Sequence, residues 1–182
     1  MKKILMLGDS IRKKYQPFVR EKLLETAEVV GPDDNCRFSK YTLWNAETWI
    51  KQWGQPDIIH WNNGTWDVCI MPRDNSLFAT LDEYMETLRR IAYILKSTGA
   101  QIIWATTTPV HPDNQLRRNS DINLYNAEAV KWMISEKIAV NDLNKVILRD
   151  MPAYVSEDHL HLTDAGSEAC ADAVVEIVKP LL

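Results

Sequence analysis

Two observations predict that this chain folds as a three-layer α/β/α sandwich around a five-stranded parallel sheet. Short apolar runs of strand length alternate with longer segments of helical periodicity, the pattern of β-α-β units joined by right-handed crossovers. At 182 residues the chain can bury roughly 70% of the surface its unfolded form exposes, enough for one sizeable core. Neither a repeat nor a linker nor a low-complexity segment divides it, so residues 1–182 read as a single domain.

The first strand is Ile4 to Leu7, stopped by Gly8. Pro17 can open a helix whose apolar positions are Phe18, Val19, Leu23 and Leu24, and Val29-Val30 make a second strand ended by Gly31-Pro32. A polar loop from Asp33 to Lys40 leads to an aromatic helix with Trp44, Trp49, Ile50 and Trp53, closed by Gly54. Asp57 to Trp61 reads as the third strand and Asn62 to Asp67 as the polar turn at its end. Thr80 and Glu83 form a capping box, after which Leu81, Tyr84, Met85, Leu88, Ile91, Ala92 and Leu95 line one helix face until Gly99. Ile102 to Ala105 is the fourth strand, and the prolines of Thr106 to Pro112 prevent an immediate helix. A helix from about Asn123 to Lys137, a fifth strand at Ile138 to Val140, a short helix through Val146 to Leu148 and a last helix from near Thr163 to Pro180 complete the pattern.

Composition excludes several classes. With 21 basic and 25 acidic residues the net charge is −4, so no excess of positive charge exists to neutralise phosphates, and nucleic acid is not an expected partner. No apolar run approaches the roughly 18 residues needed to span a bilayer, and a soluble protein without a membrane partner is expected. Met1-Lys2-Lys3 imitates the start of a signal peptide, but the apolar run after it is far too short for one. Cys36, Cys69 and Cys170 are odd in number and lack ligand spacing, which suits free thiols in a reducing, cytoplasmic compartment. A GxGxxG and a Walker A ending are both missing.

The informative chemistry lies at the two ends. In open α/β sheets ligands bind beyond the carboxyl ends of the strands, so Ser10 in Gly8-Asp9-Ser10 stands where a nucleophile is useful; an ordinary Gly-Asp-Ser turn is the plain alternative. Ahead of the last helix, Asp158 and His161 are three residues apart, a spacing that can put both side chains on one side of a turn. A carboxylate orienting an imidazole is what a serine needs for activation. His159 competes for the role of base but points away from that pair. Asp158, His159 and His161, with His60 and His111 near strand ends, also allow a metal reading, but no HExxH or paired-aspartate motif accompanies them and no metal is expected. Five of the seven tryptophans fall between Trp44 and Trp66. Most are read as core, whereas Trp66, in the polar turn, is placed at a binding surface where an indole can stack on a sugar ring.

Gly8-Asp9-Ser10 after the first strand, together with Asp158-x-x-His161 before the last helix, resembles the SGNH or GDSL hydrolase family in order and setting. The resemblance implies a flavodoxin-like SGNH hydrolase fold with Ser10 as nucleophile, His161 as base and Asp158 as orienter. It also implies an oxyanion hole. The family's second block, N-x-x-x-S-G-x-T, is met by Asn35 to Thr42 with Lys40 in the glycine's place. Its third block, G-x-N-D, falls on Gly64-Thr65-Trp66-Asp67, with tryptophan where an asparagine donor is usual. Asn62, or else Asn63, at the end of the same strand is then expected to supply the amide, giving Ser10, Lys40 and Asn62 as the oxyanion donors and Trp66 and Asn63 as substrate contacts. The resulting expectation is a cofactor-free serine ester hydrolase working through an acyl-enzyme, removing a small acyl group such as acetyl from a carbohydrate or similar ester. A non-catalytic glycan- or acyl-binding protein on the same scaffold is the alternative.

Overall fold

A computed structural model describes residues 1–182. Its five strands, β1 (Lys2–Leu7), β2 (Ala27–Val30), β3 (Ile58–Trp61), β4 (Gln101–Ala105) and β5 (Ala139–Asn141), form one sheet in the order β2-β1-β3-β4-β5. Every pairing is parallel. Side chains of a strand point alternately to the two faces, and both faces are covered. Leu5, Leu7, Ile59, Trp61 and Trp104 face α2 (Ser39–Trp53), α3 (Leu81–Lys96) and α4 (Asn119–Ser135). Ile4, Met6, Ile58, Ile103 and Ala105 face α1 (Ser10–Lys22), α5 (Leu143–Leu148) and α7 (Asp164–Val178). The three-layer sandwich and its parallel sheet are therefore as expected. Ile4 to Leu7 are fully buried because β1 is flanked by β2 and β3 and covered on both faces.

The strand order reverses between β1 and β3, which makes their carboxyl ends the switch point where such sheets bind ligands. Ser10 follows β1 and the 62–67 turn follows β3, so connectivity brings the first and third sequence blocks together. No helix is long and apolar enough to cross a membrane.

Several boundaries differ from the sequence expectation for identifiable reasons. Asp9 caps a helix that begins at Ser10, its Oδ1 accepting from Ile11 N at 2.9 Å. Pro17 thus lies inside α1, on its exposed side, instead of opening it. α2 begins at Ser39, within the expected loop, and α4 begins at Asn119. An additional short helix, α6 (Met151–Tyr154), is nucleated by Pro152 in its first turn. Trp49 and Trp61 are core, but Trp44 is 84% exposed, because the buried stripe of α2 runs through Thr42, Ala46 and Trp49. The Thr80–Glu83 capping box of α3 is present as expected.

Candidate active site

The site begins with what Gly8 permits. A Cβ there would come within 2.7 Å of Arg12 Cβ, so only glycine lets α1 start this close to the end of β1. Arg12, itself buried, then staples the neighbouring loop. Its Nη2 donates to Pro32 O at 3.0 Å and Asp34 O at 3.1 Å, and its Nη1 to Gln16 Oε1 at 2.6 Å. Asp9, fully buried behind Ser10, is raised above the ordinary carboxyl range by burial, against which its bond from Ile11 and the charges of Arg12 and Arg117 act.

At the opposite end of the sequence, Val155 and Leu162 pair as an isolated antiparallel bridge, closing a tight turn. Inside that turn Asp158 Oδ1 accepts from Ser156 Oγ (2.8 Å), Leu160 N (2.9 Å) and His161 N (2.8 Å). Its other oxygen lies 2.6 Å from His161 Nδ1, and His161 Nε2 lies 2.9 Å from Ser10 Oγ. A carboxylate can only accept, which assigns the imidazole proton to Nδ1 and leaves Nε2 free to accept from the serine hydroxyl. Burial alone would raise the Asp158 carboxyl; the bonds from His161, Leu160 and Ser156 outweigh it and hold the group far below the ordinary range. Ser10, Asp158 and His161 line a cleft of about 490 Å³ together with Lys13, Lys14 and Asn35.

The second and third blocks meet through Asp67. This buried carboxylate accepts from Ser39 N (3.1 Å) and Ser39 Oγ (2.6 Å), capping α2 where Phe38, the residue at the cap position, has no side-chain acceptor. Burial pushes Asp67 up to about 6, despite those hydrogen bonds. Lys40 is consequently the second residue of an ordinary helix, with no need of glycine's conformational freedom. Its side chain pairs with Glu83 at 2.9 Å, while its backbone N–H and that of Ser10 are bonded to nothing in the protein, as is normal for a first helical turn.

Of the two asparagines, it is Asn63 that departs from the expectation. Asn63 is completely buried, its Nδ2 donating to Thr42 Oγ1 at 2.9 Å and its Oδ1 accepting from Trp61 Nε1 at 2.7 Å. It locks the turn to α2 and cannot touch a substrate, so that assignment is corrected. Asn62 stands beside Gly8, but one of its two amide hydrogens is spent on Ala105 O at 2.8 Å, tying β3 to β4. Trp66 is 38% exposed, unlike the neighbouring Trp61. His60 is core: it is fully buried, lies 3.2 Å from Asn141 Nδ2, and is lowered to about 4 by burial. His159 turns away from the triad and stacks on His111. Arg12, Ser39 with Asp67, and Arg117, whose buried Nε donates to Thr65 O at 2.6 Å, were not legible as site residues. Only their partners, distant in sequence, give them a role.

The doubly wound parallel sheet, at whose switch point Ser10, His161 and Asp158 converge, is a fold shared with solved esterases and a G-D-S-L family protein. An acetyl xylan esterase superposes with a TM-score of 0.81 at 20% identity, over 97% of this chain and 99% of that one. An acetylxylan esterase from Geobacillus stearothermophilus, solved as a catalytic mutant, gives 0.80 at 19%, over 96% and 93%. A member of the lipolytic G-D-S-L family from Veillonella parvula gives 0.78 at 17%, over 98% and 99%. No protein-family model and no curated protein matches the sequence.

Proposed function

We propose that the protein is a serine-dependent carboxylic ester hydrolase that removes a small acyl group, such as acetyl, from a carbohydrate or similar substrate. The observation that carries this reading is the continuous relay from Asp158 through His161 to Ser10, at 2.6 and 2.9 Å. Ser10 Oγ attacks the ester carbonyl carbon as His161 Nε2 takes its proton, and Asp158 steadies the imidazolium. The tetrahedral intermediate collapses by breaking the bond to the alcohol oxygen, which leaves with the proton from His161. Water then repeats the attack on the acyl-serine, His161 again taking and returning a proton, and the carboxylic acid departs with Ser10 restored. The negative oxygen formed in each attack is met by the N–H groups of Ser10 and Lys40 and by the remaining amide hydrogen of Asn62. Trp66 stacks against the alcohol moiety. The acyl preference is supported by the acetyl xylan esterases that share the fold. The three free thiols fit a cytoplasmic setting.

The alternative, a glycan- or acyl-binding protein on this scaffold, is favoured by one observation: Trp66 stands where an amide donor is usual, while Asn63 is locked in the core. A fluorophosphonate probe separates the two. Covalent labelling of the wild-type protein that is lost in Ser10→Ala is the expected result, and an unlabelled wild-type protein would overturn the esterase reading.

A further inference from the structure

We infer that His111, Asp113 and His159 form a divalent-cation site separate from the Ser10–His161–Asp158 relay but built on the same turn. One ligand atom from each of the three side chains lies within 4.8 Å of the other two. Two imidazoles and a carboxylate suit zinc and its neighbours in the first transition row, and leave room for water in the remaining coordination positions. Bond lengths of about 2.0–2.2 Å place two ligand atoms of a tetrahedral site roughly 3.4 Å apart, so closing this cluster asks for side-chain movements of about an ångström.

The backbone holds these donors together without help from any ion. His111 N donates to His159 O at 3.1 Å, and Asn114 Nδ2 donates to the same oxygen at 3.1 Å. Asp113 N donates to His111 Nδ1 at 3.2 Å and orients the ring, a bond that is given up when the imidazole binds a cation. The imidazoles lie face to face, centroids 4.5 Å apart and 22° from parallel. Imidazole lone pairs lie in the ring planes, so one ring turns out of the stack when both bind the same cation. His159 reaches the stack only by adopting φ +67°, a left-handed conformation that side chains seldom take. Strain of this kind is retained where the surroundings use it. Asp158 and His161, on either side of His159, are committed to each other and to Ser10. The turn therefore sorts its three closely spaced potential ligands into a relay and a separate cluster.

The site joins the loop after β4 to the turn that presents Asp158 and His161. A bound cation would cross-link the two, without taking part in the hydrolytic steps. Calorimetric titration of the full chain with Zn²⁺ is expected to show one tight equivalent. Affinity should fall by about tenfold or more in His111→Gln, in Asp113→Asn and in His159→Asn, the last keeping a residue that tolerates the left-handed backbone. Because free zinc can also bind a catalytic histidine, His161→Ala is the control, and it should retain the tight equivalent. Loss of binding in His161→Ala with retention in His111→Gln would overturn the inference, as would a wild-type protein that takes up no stoichiometric zinc. Heat of binding is read without any ester, so failure here and failure of the hydrolase reading are distinguishable. All three substituted side chains are partly or fully exposed, and the thermal midpoint without zinc should match that of the wild type.

Discussion

Asp67 accepts both the N–H and the hydroxyl of Ser39, 28 residues earlier in the chain, and so caps α2 from outside it. The contact joins the turn after β3 to the helix that carries Lys40, and it makes Asp67 a positioning residue for one of the proposed oxyanion donors. Asp67→Ala leaves Ser39 N–H without its acceptor in a buried place and should cost about 1–3 kcal/mol of stability, read as a lowered urea midpoint.

The same carboxyl makes stability depend on pH in a sense opposite to most acidic groups. Its folded pKa is raised, to about 6, so the folded state holds the proton more tightly than the unfolded state. Its contribution is complete below the unfolded value near 4 and is lost as pH rises through about 6. In Asp67→Asn nothing titrates at this place. The unfolding free energy of the wild type relative to Asp67→Asn should therefore fall between pH 4.5 and pH 7.5, by an amount on the order of 2 kcal/mol. A difference independent of pH would show that the group is not held protonated by the fold.

What the sequence revealed and what it concealed follow from the range of the interactions. That Ser10, Asp158 and His161 meet was legible because the acyl-transfer chemistry proposed for them restricts their residue types and their setting at the ends of strands and turns. The α3 boundaries were legible because Thr80 and Glu83 cap each other within three residues. The start of α2 was not, because Phe38 offers no acceptor and the cap arrives from Asp67 through the fold. Asn63 reads like Asn62 in the sequence, yet one lies locked against Thr42 and the other beside Gly8. Trp44 and Trp49 both belong to an aromatic helical stretch, and only the packing of α2 exposes one and buries the other.

Asp158 is held ionised by its hydrogen bonds, its folded pKa lying below the ordinary carboxyl value. Any stability it confers is present above that ordinary value and lost only as pH falls below it. In moderately acid solution it therefore still accepts from His161 Nδ1 and orients the ring. Asp158→Asn should lower kcat by about 10⁴-fold, because the substituted amide no longer holds the proton on Nδ1. Steady-state hydrolysis of an activated acetyl ester measures this; a loss of less than tenfold would remove Asp158 from the relay.

Gly64 has φ +147°, and a Cβ there would overlap Thr107 Oγ1. Gly64→Ala should thus meet backbone strain and crowding together, costing about 2–5 kcal/mol. Denaturant unfolding is expected to show an earlier midpoint with an unchanged slope. Thr107→Ala in the same background relieves the overlap and should restore part of the loss, which backbone strain alone would not allow.

The N–H of Lys40 can be removed without removing the helix. Lys40 is the second residue of α2, and its N–H has no partner in the protein. Proline is tolerated in a first helical turn because the donor it lacks is unused there. Lys40→Pro deletes the oxyanion donor and, with it, the Glu83 ion pair. Lys40→Ala deletes only the ion pair, an exposed contact of little consequence. If the backbone donor stabilises the tetrahedral oxyanion, kcat should fall by about 10²- to 10³-fold in Lys40→Pro with KM little changed, and stay near the wild-type value in Lys40→Ala. Parallel kinetics of the two variants, with circular dichroism to verify α2, decides the point. Equal activity in both would move the oxyanion site away from this helix and leave Ser10 N–H and Asn62 to hold it.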